Sequence, residues 1–180
     1  MLGLSAAYFF TTYATIIITY FCPFLAEKEH WSPEITGTVT AVYFLFIFMP
    51  GFILPKILST LRGMTTIATA VMICVGLAFF SFIHTEWSMI VGAALMGAGY
   101  GIYQPMVYNK APDAVTDPSK NTLSLSLVLV ANYAAIALAP LIVDSFRSLF
   151  GAGNVTGFAF ILNFAMAVSY THLRAHETVL

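Results

Sequence analysis

The sequence predicts an all-α membrane protein with six transmembrane helices, and two observations carry this prediction. First, 59% of the 180 residues are hydrophobic and only 8% are charged, whereas soluble domains are about a quarter charged. Second, the charged residues are clustered, so that six long stretches contain no Asp, Glu, Lys or Arg: 1–26, 35–55, 64–83, 87–109, 121–143 and 148–173. Each stretch is close to the roughly 20 residues that a helix needs to cross a bilayer.

The same composition argues against other classes of protein. A net charge of −1 provides no basic surface to neutralise phosphates, so we expect no nucleic-acid partner. Cys22 and Cys74, the two cysteines, both lie in apolar runs, which argues against a disulfide scaffold. The first apolar run is longer than the core of a secretory signal and lacks a basic leader. We therefore expect it to be a true span.

The first three spans are predicted at residues 2–25, 35–61 and 64–83. Pro23 and a charged loop are expected to close the first. The second follows Ser32-Pro33, because serine caps free helix amides and proline suits the first helical position. Pro50-Gly51 predicts a kink within it, and Arg62-Gly63 predicts the tight turn before the third.

The last three spans are predicted at residues 87–108, 122–143 and 155–170. The fourth is rich in glycine, the fifth has Pro140 near its end, and the sixth has the shortest strongly apolar stretch. Residues 1–170 would thus form one six-span unit, and we expect residues 171–180 to be a tail that is not native.

Two further patterns concern the arrangement of these spans. Pro50 and Pro140 occupy similar places near the ends of spans two and five, as two repeats of three helices would require. Coincidence among helices of similar length is the alternative. Five of the seven Lys and Arg residues lie on the side of the connections after spans two, four and six, which predicts cytoplasmic termini.

Polar side chains form a stripe along span one. Its members are separated by three or four residues and so share one helical face: Ser5, Tyr8, Thr12, Thr15 and Thr19. A polar stripe on an uncharged span favours a face that meets water or a ligand. Hydrogen bonding between helices is the alternative, because hydroxyl groups are common where membrane helices pack.

Spans four and five carry the other polar candidates. Gly97, Gly101, Gln104 and Tyr108 share one face of span four, where the glycines would permit close helix packing. Gln104 needs partners in hydrocarbon, and either a solute or a neighbouring helix could supply them. The same two alternatives apply to Asn132 in span five. Span two contributes a weaker polar face through Thr38, Thr40 and Tyr43, whereas spans three and six are mostly apolar.

No span contains a carboxylate, a histidine or a basic residue at depth. A proton relay or a metal centre would normally need one, so we expect neither a metal nor a cofactor. No histidine or cysteine is set beside a serine to activate it as a nucleophile, which argues against an enzyme.

Three further features of the sequence are the Arg-Gly turn in the loop Lys56–Gly63, the glycine-rich stretch Gly97–Pro105 and the pair Ala139-Pro140. Together they resemble the carboxy-terminal half of a major facilitator superfamily transporter. The loop Lys56–Gly63 keeps the spacing and the Arg-Gly turn of the superfamily's signature, but has Lys56 for its first glycine and Thr60 for its acid. The stretch Gly97–Pro105, GAGYGIYQP, is similar to the glycine-rich tenth span. Ala139-Pro140 is similar to a Gly-Pro element of the fifth and eleventh spans.

The resemblance implies half of a twelve-helix fold, with a cavity lined by the first and fourth helices of each half and flanked by the second and fifth. The predicted cavity residues are Tyr8, Thr12, Thr15, Tyr43, Tyr100, Gln104 and Asn132, and the predicted gating-loop residues are Lys56, Arg62 and Gly63. The chain would then be a fragment that needs an amino-terminal half or a second copy.

The predicted function is secondary transport of a small organic solute by alternating access, in the plasma (inner) membrane. The alternative is a six-span structural or assembly protein whose polar stripes bind partner helices and which has no transport activity.

Overall fold

A computed structural model describes residues 1–150, 159–161, 163–165 and 167 of the chain. Its architecture is helical, and no strand occurs among these residues. The α-helices, in chain order, are α1 (Leu2–Lys28), α2 (Pro33–Phe48), α3 (Leu54–Leu61), α4 (Thr65–Phe82), α5 (Glu86–Lys110) and α6 (Asn121–Phe150). The described residues between 159 and 167 are also helical.

Four helical stretches of the described residues are long and apolar enough to cross a membrane: Leu2–Lys28, Pro33–Leu61, Thr65–Phe82 and Pro118–Leu149. They correspond to predicted spans one, two, three and five. The predicted sixth span, 155–170, lies largely outside the described residues. The arrangement of six helices as two repeats therefore stays a prediction.

Helix α5 corresponds to predicted span four but is less apolar than the four candidate spans. Its 25 residues would extend about 37 Å at 1.5 Å per residue, which is enough to cross a bilayer. Glycines, tyrosines and Gln104 lower its hydropathy. Because α5 packs against α2 and α4 and also touches α1 and α6, its polar residues can meet protein rather than lipid.

Local sequence signals account for the helix starts. The side chain of Ser32 accepts a hydrogen bond from the backbone N–H of Glu34, as predicted for the start of span two. Thr85 and Ser88 form a reciprocal pair at the start of α5, in which each hydroxyl accepts from the other residue's backbone N–H. Before α6, the hydroxyl and the backbone N–H of Ser119 both donate to Asp117, which holds the pKa of that carboxyl below its usual value.

The α-helix of span two is interrupted at the place where the kink is predicted. The segment Met49–Ile53, which contains Pro50, is a 3-10 helix between α2 and α3. The prediction that Pro23 helps to close span one was wrong, because α1 continues through it to Lys28. Pro140, which the sequence places near the end of span five, lies inside α6, and this helix continues to Phe150. A proline within a helix removes one backbone hydrogen bond, and neighbouring helices in a membrane bundle can compensate for this loss.

Two sets of contacts join connections at opposite ends of the bundle. At one end, Nδ1 of His84 lies 3.5 Å from a carboxylate oxygen of Glu29, so that the α4–α5 connection meets the α1–α2 connection. At the other end, the Ser124 hydroxyl donates to the carbonyl of Ala111 and lies 3.3 Å from the sulfur of Met1. The connections thus alternate sides, as consecutive membrane-crossing helices require.

Small residues allow the helices to approach closely. A Cβ atom on Gly97 would meet the carbonyl oxygen of Tyr43, and one on Gly101 would meet the carbonyl oxygen of Ile47. This confirms the close packing predicted for the glycine face of span four, and its partner is α2. Alanines likewise pack α6 against α1, where Ala135 and Ala139 are fully buried.

Candidate functional site

A cluster of hydroxyl and amide groups connects α1, α5 and α6. The Thr12 hydroxyl donates to Oδ1 of Asn132 over 3.0 Å, and the Tyr100 hydroxyl donates to the same oxygen over 2.9 Å. The Thr12 and Tyr100 hydroxyls are themselves 3.1 Å apart. One amide oxygen thus fixes two hydroxyl groups from two other helices.

Tyr8 extends this cluster along α1 and α5. Its hydroxyl lies 3.3 Å from that of Tyr100 and donates over 3.3 Å to that of Tyr108. The rings of Tyr8 and Tyr100 are almost parallel, with centroids 6.3 Å apart. We call the five residues Tyr8, Thr12, Tyr100, Tyr108 and Asn132 the polar cluster.

Helical spacing explains which residues each helix contributes. Tyr8 and Thr12 are four residues apart, and Tyr100 and Tyr108 are eight apart, so each pair lies on one helical face. Asn132 lies one helical turn before Ala135 on the face of α6 that packs against α1. The small alanine side chains bring α6 close enough for its amide to reach Thr12.

Four of the five members of the polar cluster are buried in this conformation, and Tyr108 is half-buried. Tyr8 and Thr12 are at most 2% exposed, whereas Tyr100 and Asn132 are 7% and 8% exposed. This geometry agrees with the alternative interpretation of the sequence, in which hydroxyl and amide groups form hydrogen bonds between helices. Contact with a solute would require α1, α5 and α6 to separate.

Thr15 and Tyr43, two other predicted cavity residues, lie outside the polar cluster. The Thr15 hydroxyl donates to the backbone carbonyl of Thr11 over 3.0 Å. Tyr43 of α2 is buried with its hydroxyl beside Thr15. Of the remaining stripe members, the buried hydroxyls of Ser5 and Thr19 have no hydrogen-bond partner among the described residues.

Gln104 lies in a groove rather than in the cluster. The groove has a volume of about 540 Å³ and lies between α5 and the end of α2 with the 3-10 segment. Its lining residues are Ile47, Phe48, Gly51, Phe52, Gly101, Gln104, Pro105 and Tyr108. Tyr108 therefore belongs both to the groove and to the polar cluster.

The predicted gating-loop residues are not members of the polar cluster. Lys56 is exposed on α3, where its carbonyl accepts hydrogen bonds from Ser59 and Thr60. Gly63 is exposed in the short turn Arg62–Met64. The Arg62 side chain lies outside the described part of the chain.

Tyr108 is the cluster member absent from the predicted site residues. Its position on the same helical face as Gln104 could have identified Tyr108 as a site residue. Its neighbours Asn109 and Lys110 favour a different interpretation, in which the tyrosine lies at the membrane interface. Within the described residues, no three His, Cys, Asp or Glu side chains form a group that could hold a metal ion.

Comparison with known proteins supports the superfamily to which the sequence features point, while the assignment to a carboxy-terminal half stays a prediction. Neither characterised proteins nor solved structures gave a significant match. The family model for the Major Facilitator Superfamily matches residues 4–179, almost the whole chain. The apolar helices agree with an integral membrane protein of this kind. The chain belongs to the major facilitator superfamily of membrane transporters.

Proposed function

We propose that the chain carries small organic solutes across the membrane by alternating access, and that the polar cluster is its solute contact. The observation that carries the proposal is the buried, uncharged polar cluster where α1, α5 and α6 meet. In the closed conformation its hydroxyls and amide bond to one another. In an open conformation a solute would take over these bonds.

The energetics of such a cluster suit reversible opening. Hydrogen bonds between membrane helices contribute on average about 0.6 kcal/mol and at most about 1.7 kcal/mol each. Separating the helices at the few bonds of Thr12 and Asn132 therefore costs only a few kcal/mol, which bound solute or water can offset. A charged pair at this depth would be much harder to separate.

We further propose that this unit acts as a carboxy-terminal half, with both termini in the cytoplasm. Its cavity would then close against an amino-terminal half or a second copy. The degenerate signature at Lys56–Gly63 supports this proposal.

The closed geometry also favours a second candidate function. Because Thr12, Tyr100 and Asn132 already satisfy one another, the cluster could serve only to join helices in a structural or assembly protein. This candidate requires the cluster to stay closed, whereas a transporter requires it to open. Flux measurements separate the two.

Counterflow into proteoliposomes tests the proposal. The probes are radiolabelled uncharged solutes, namely xylitol, nicotinamide and N-acetylglucosamine, measured against protein-free liposomes. We expect uptake of at least one, and we expect Thr12→Val to lower it at least about tenfold by removing a solute contact. The matched control is Thr38→Val, because Thr38 is exposed on α2 and its hydroxyl, among the described residues, bonds to the Glu34 carbonyl alone.

Two outcomes would contradict the proposal. One is equal loss of uptake in both variants, since the effect would then not be specific to the cluster. The other is the absence of uptake for every probe from protein that is folded and assembled, which favours the structural candidate.

A further inference from the structure

We infer that the groove beside α5 is a binding site for an uncharged, amphipathic solute, and that Tyr108 transmits its binding to the polar cluster. The consequence of binding, which is the opening of the polar cluster, rests on the proposed function.

The polar groups of the groove are free to bind a ligand. Gln104 is half-buried, and its amide makes no hydrogen bond to any described residue, so its N–H groups and its carbonyl are all available. Tyr108 accepts a hydrogen bond from Tyr8. The proton of the Tyr108 hydroxyl is therefore not used in that bond and can be donated to a ligand.

The rest of the groove is apolar. Phe48, Phe52 and Pro105 provide aromatic and aliphatic surface, and none of the described residues that line the groove is charged. Its volume of about 540 Å³ falls within the range of about 300–1,000 Å³ that is typical of small-molecule sites. A charged ligand would lose its hydration without gaining an opposite charge, whereas an uncharged amphipathic ligand would not.

Tyr108 connects the groove to the polar cluster. Its ring meets that of Tyr8 edge-on, with centroids 5.7 Å apart, and the two hydroxyls are bonded. A ligand that moves Tyr108 would break this bond and weaken the attachment of α1 to α5. The opposite wall of the groove includes the 3-10 segment, where the helical ladder of span two is already interrupted.

Binding to the chain in lipid nanodiscs tests the ligand class. The probes are N-phenylnaphthylamine, which is uncharged, and its sulfonated counterpart anilinonaphthalene sulfonate, each corrected with protein-free nanodiscs. We expect saturable binding of the uncharged probe and none of the anion. Gln104→Leu should weaken that binding about threefold to tenfold, because the amide carbonyl accepts the probe's N–H. The control, Tyr133→Phe, alters an exposed tyrosine of α6 and should change nothing.

Thiol labelling tests the role of Tyr108. Ser5→Cys is placed in a Cys22→Ala, Cys74→Ala background and treated with a charged methanethiosulfonate reagent. Ser5 suits this purpose because its hydroxyl has no hydrogen-bond partner among the described residues. We expect saturating N-phenylnaphthylamine to increase the labelling rate at least about threefold, and we expect Tyr108→Phe to abolish the increase.

The inference is overturned if the anion binds as tightly as the uncharged probe or if Gln104→Leu leaves binding unchanged. It is also overturned if the labelling increase persists in Tyr108→Phe. These failures are separate from failure of the proposed function, because binding is measured without transport. Saturable binding with no flux of any solute would refute the transport proposal while leaving the site intact.

Discussion

Replacing Gly101 by alanine is expected to destabilise the protein by about 1–3 kcal/mol, the usual cost of overpacking a close contact. The added Cβ would meet the carbonyl oxygen of Ile47 and would lie 2.8 Å from its carbonyl carbon and its Cα. These are backbone atoms, so a side-chain rotation cannot relieve the contact. Helices α2 and α5 would have to move apart, and thermal unfolding in detergent micelles would show a lower midpoint.

Gly37→Ala provides the matched control for this prediction. Gly37 also lies within a helix, but nothing lies within 4 Å of an added Cβ. Alanine favours helix over glycine by about 1 kcal/mol, so this variant should be as stable as the wild type or more stable. If Gly101→Ala behaves in the same way, α2 and α5 are not packed as described.

Asn132→Leu is expected to destabilise the protein by about 1–3 kcal/mol. The change keeps much of the side-chain volume but removes the oxygen that accepts hydrogen bonds from Thr12 and Tyr100. Both hydroxyls stay buried and keep only their contact with each other and, for Tyr100, with Tyr8. Equilibrium unfolding of the wild type and the variant in mixed micelles measures the difference.

A double-mutant cycle with Thr12→Val isolates the bond between the two residues. We expect the two variants to be non-additive by at least about 0.5 kcal/mol, because they remove the same hydrogen bond. Tyr133→Phe is the control: Tyr133 is the neighbour of Asn132, is 65% exposed, and should change stability by less than about 0.5 kcal/mol. Strict additivity, or an equal effect of Tyr133→Phe, would contradict the described cluster.

Helical periodicity predicted much of the candidate site. Tyr8 and Thr12 are four residues apart on an uncharged helix, and Asn132 is an amide within an apolar one. Those patterns identify the residues and their shared face because both depend only on local geometry. The glycine spacing of Gly97 and Gly101 likewise predicted close packing.

Tertiary contacts explain what the sequence could not predict. Periodicity shows that Tyr100 and Asn132 each occupy one face of a helix, but not that these faces meet at one amide oxygen. The sequence around Tyr108 favours a position at the membrane interface. Its membership of the polar cluster depends on its contact with Tyr8, which is a tertiary contact. The continuation of α1 beyond Pro23 depends on the neighbours of the helix, which local sequence does not reveal.

The central claim is that the polar face of α1 meets water during the working cycle while its other side meets lipid. Labelling of Thr12→Cys and Phe10→Cys by a charged methanethiosulfonate reagent, in the background without native cysteines, tests it most directly. Thr12 is 2% exposed and Phe10 is 49% exposed, so accessibility in the closed structure alone would favour Phe10. We predict that Thr12→Cys reacts and Phe10→Cys does not. Reaction at Phe10→Cys with none at Thr12→Cys in the folded protein would contradict the account.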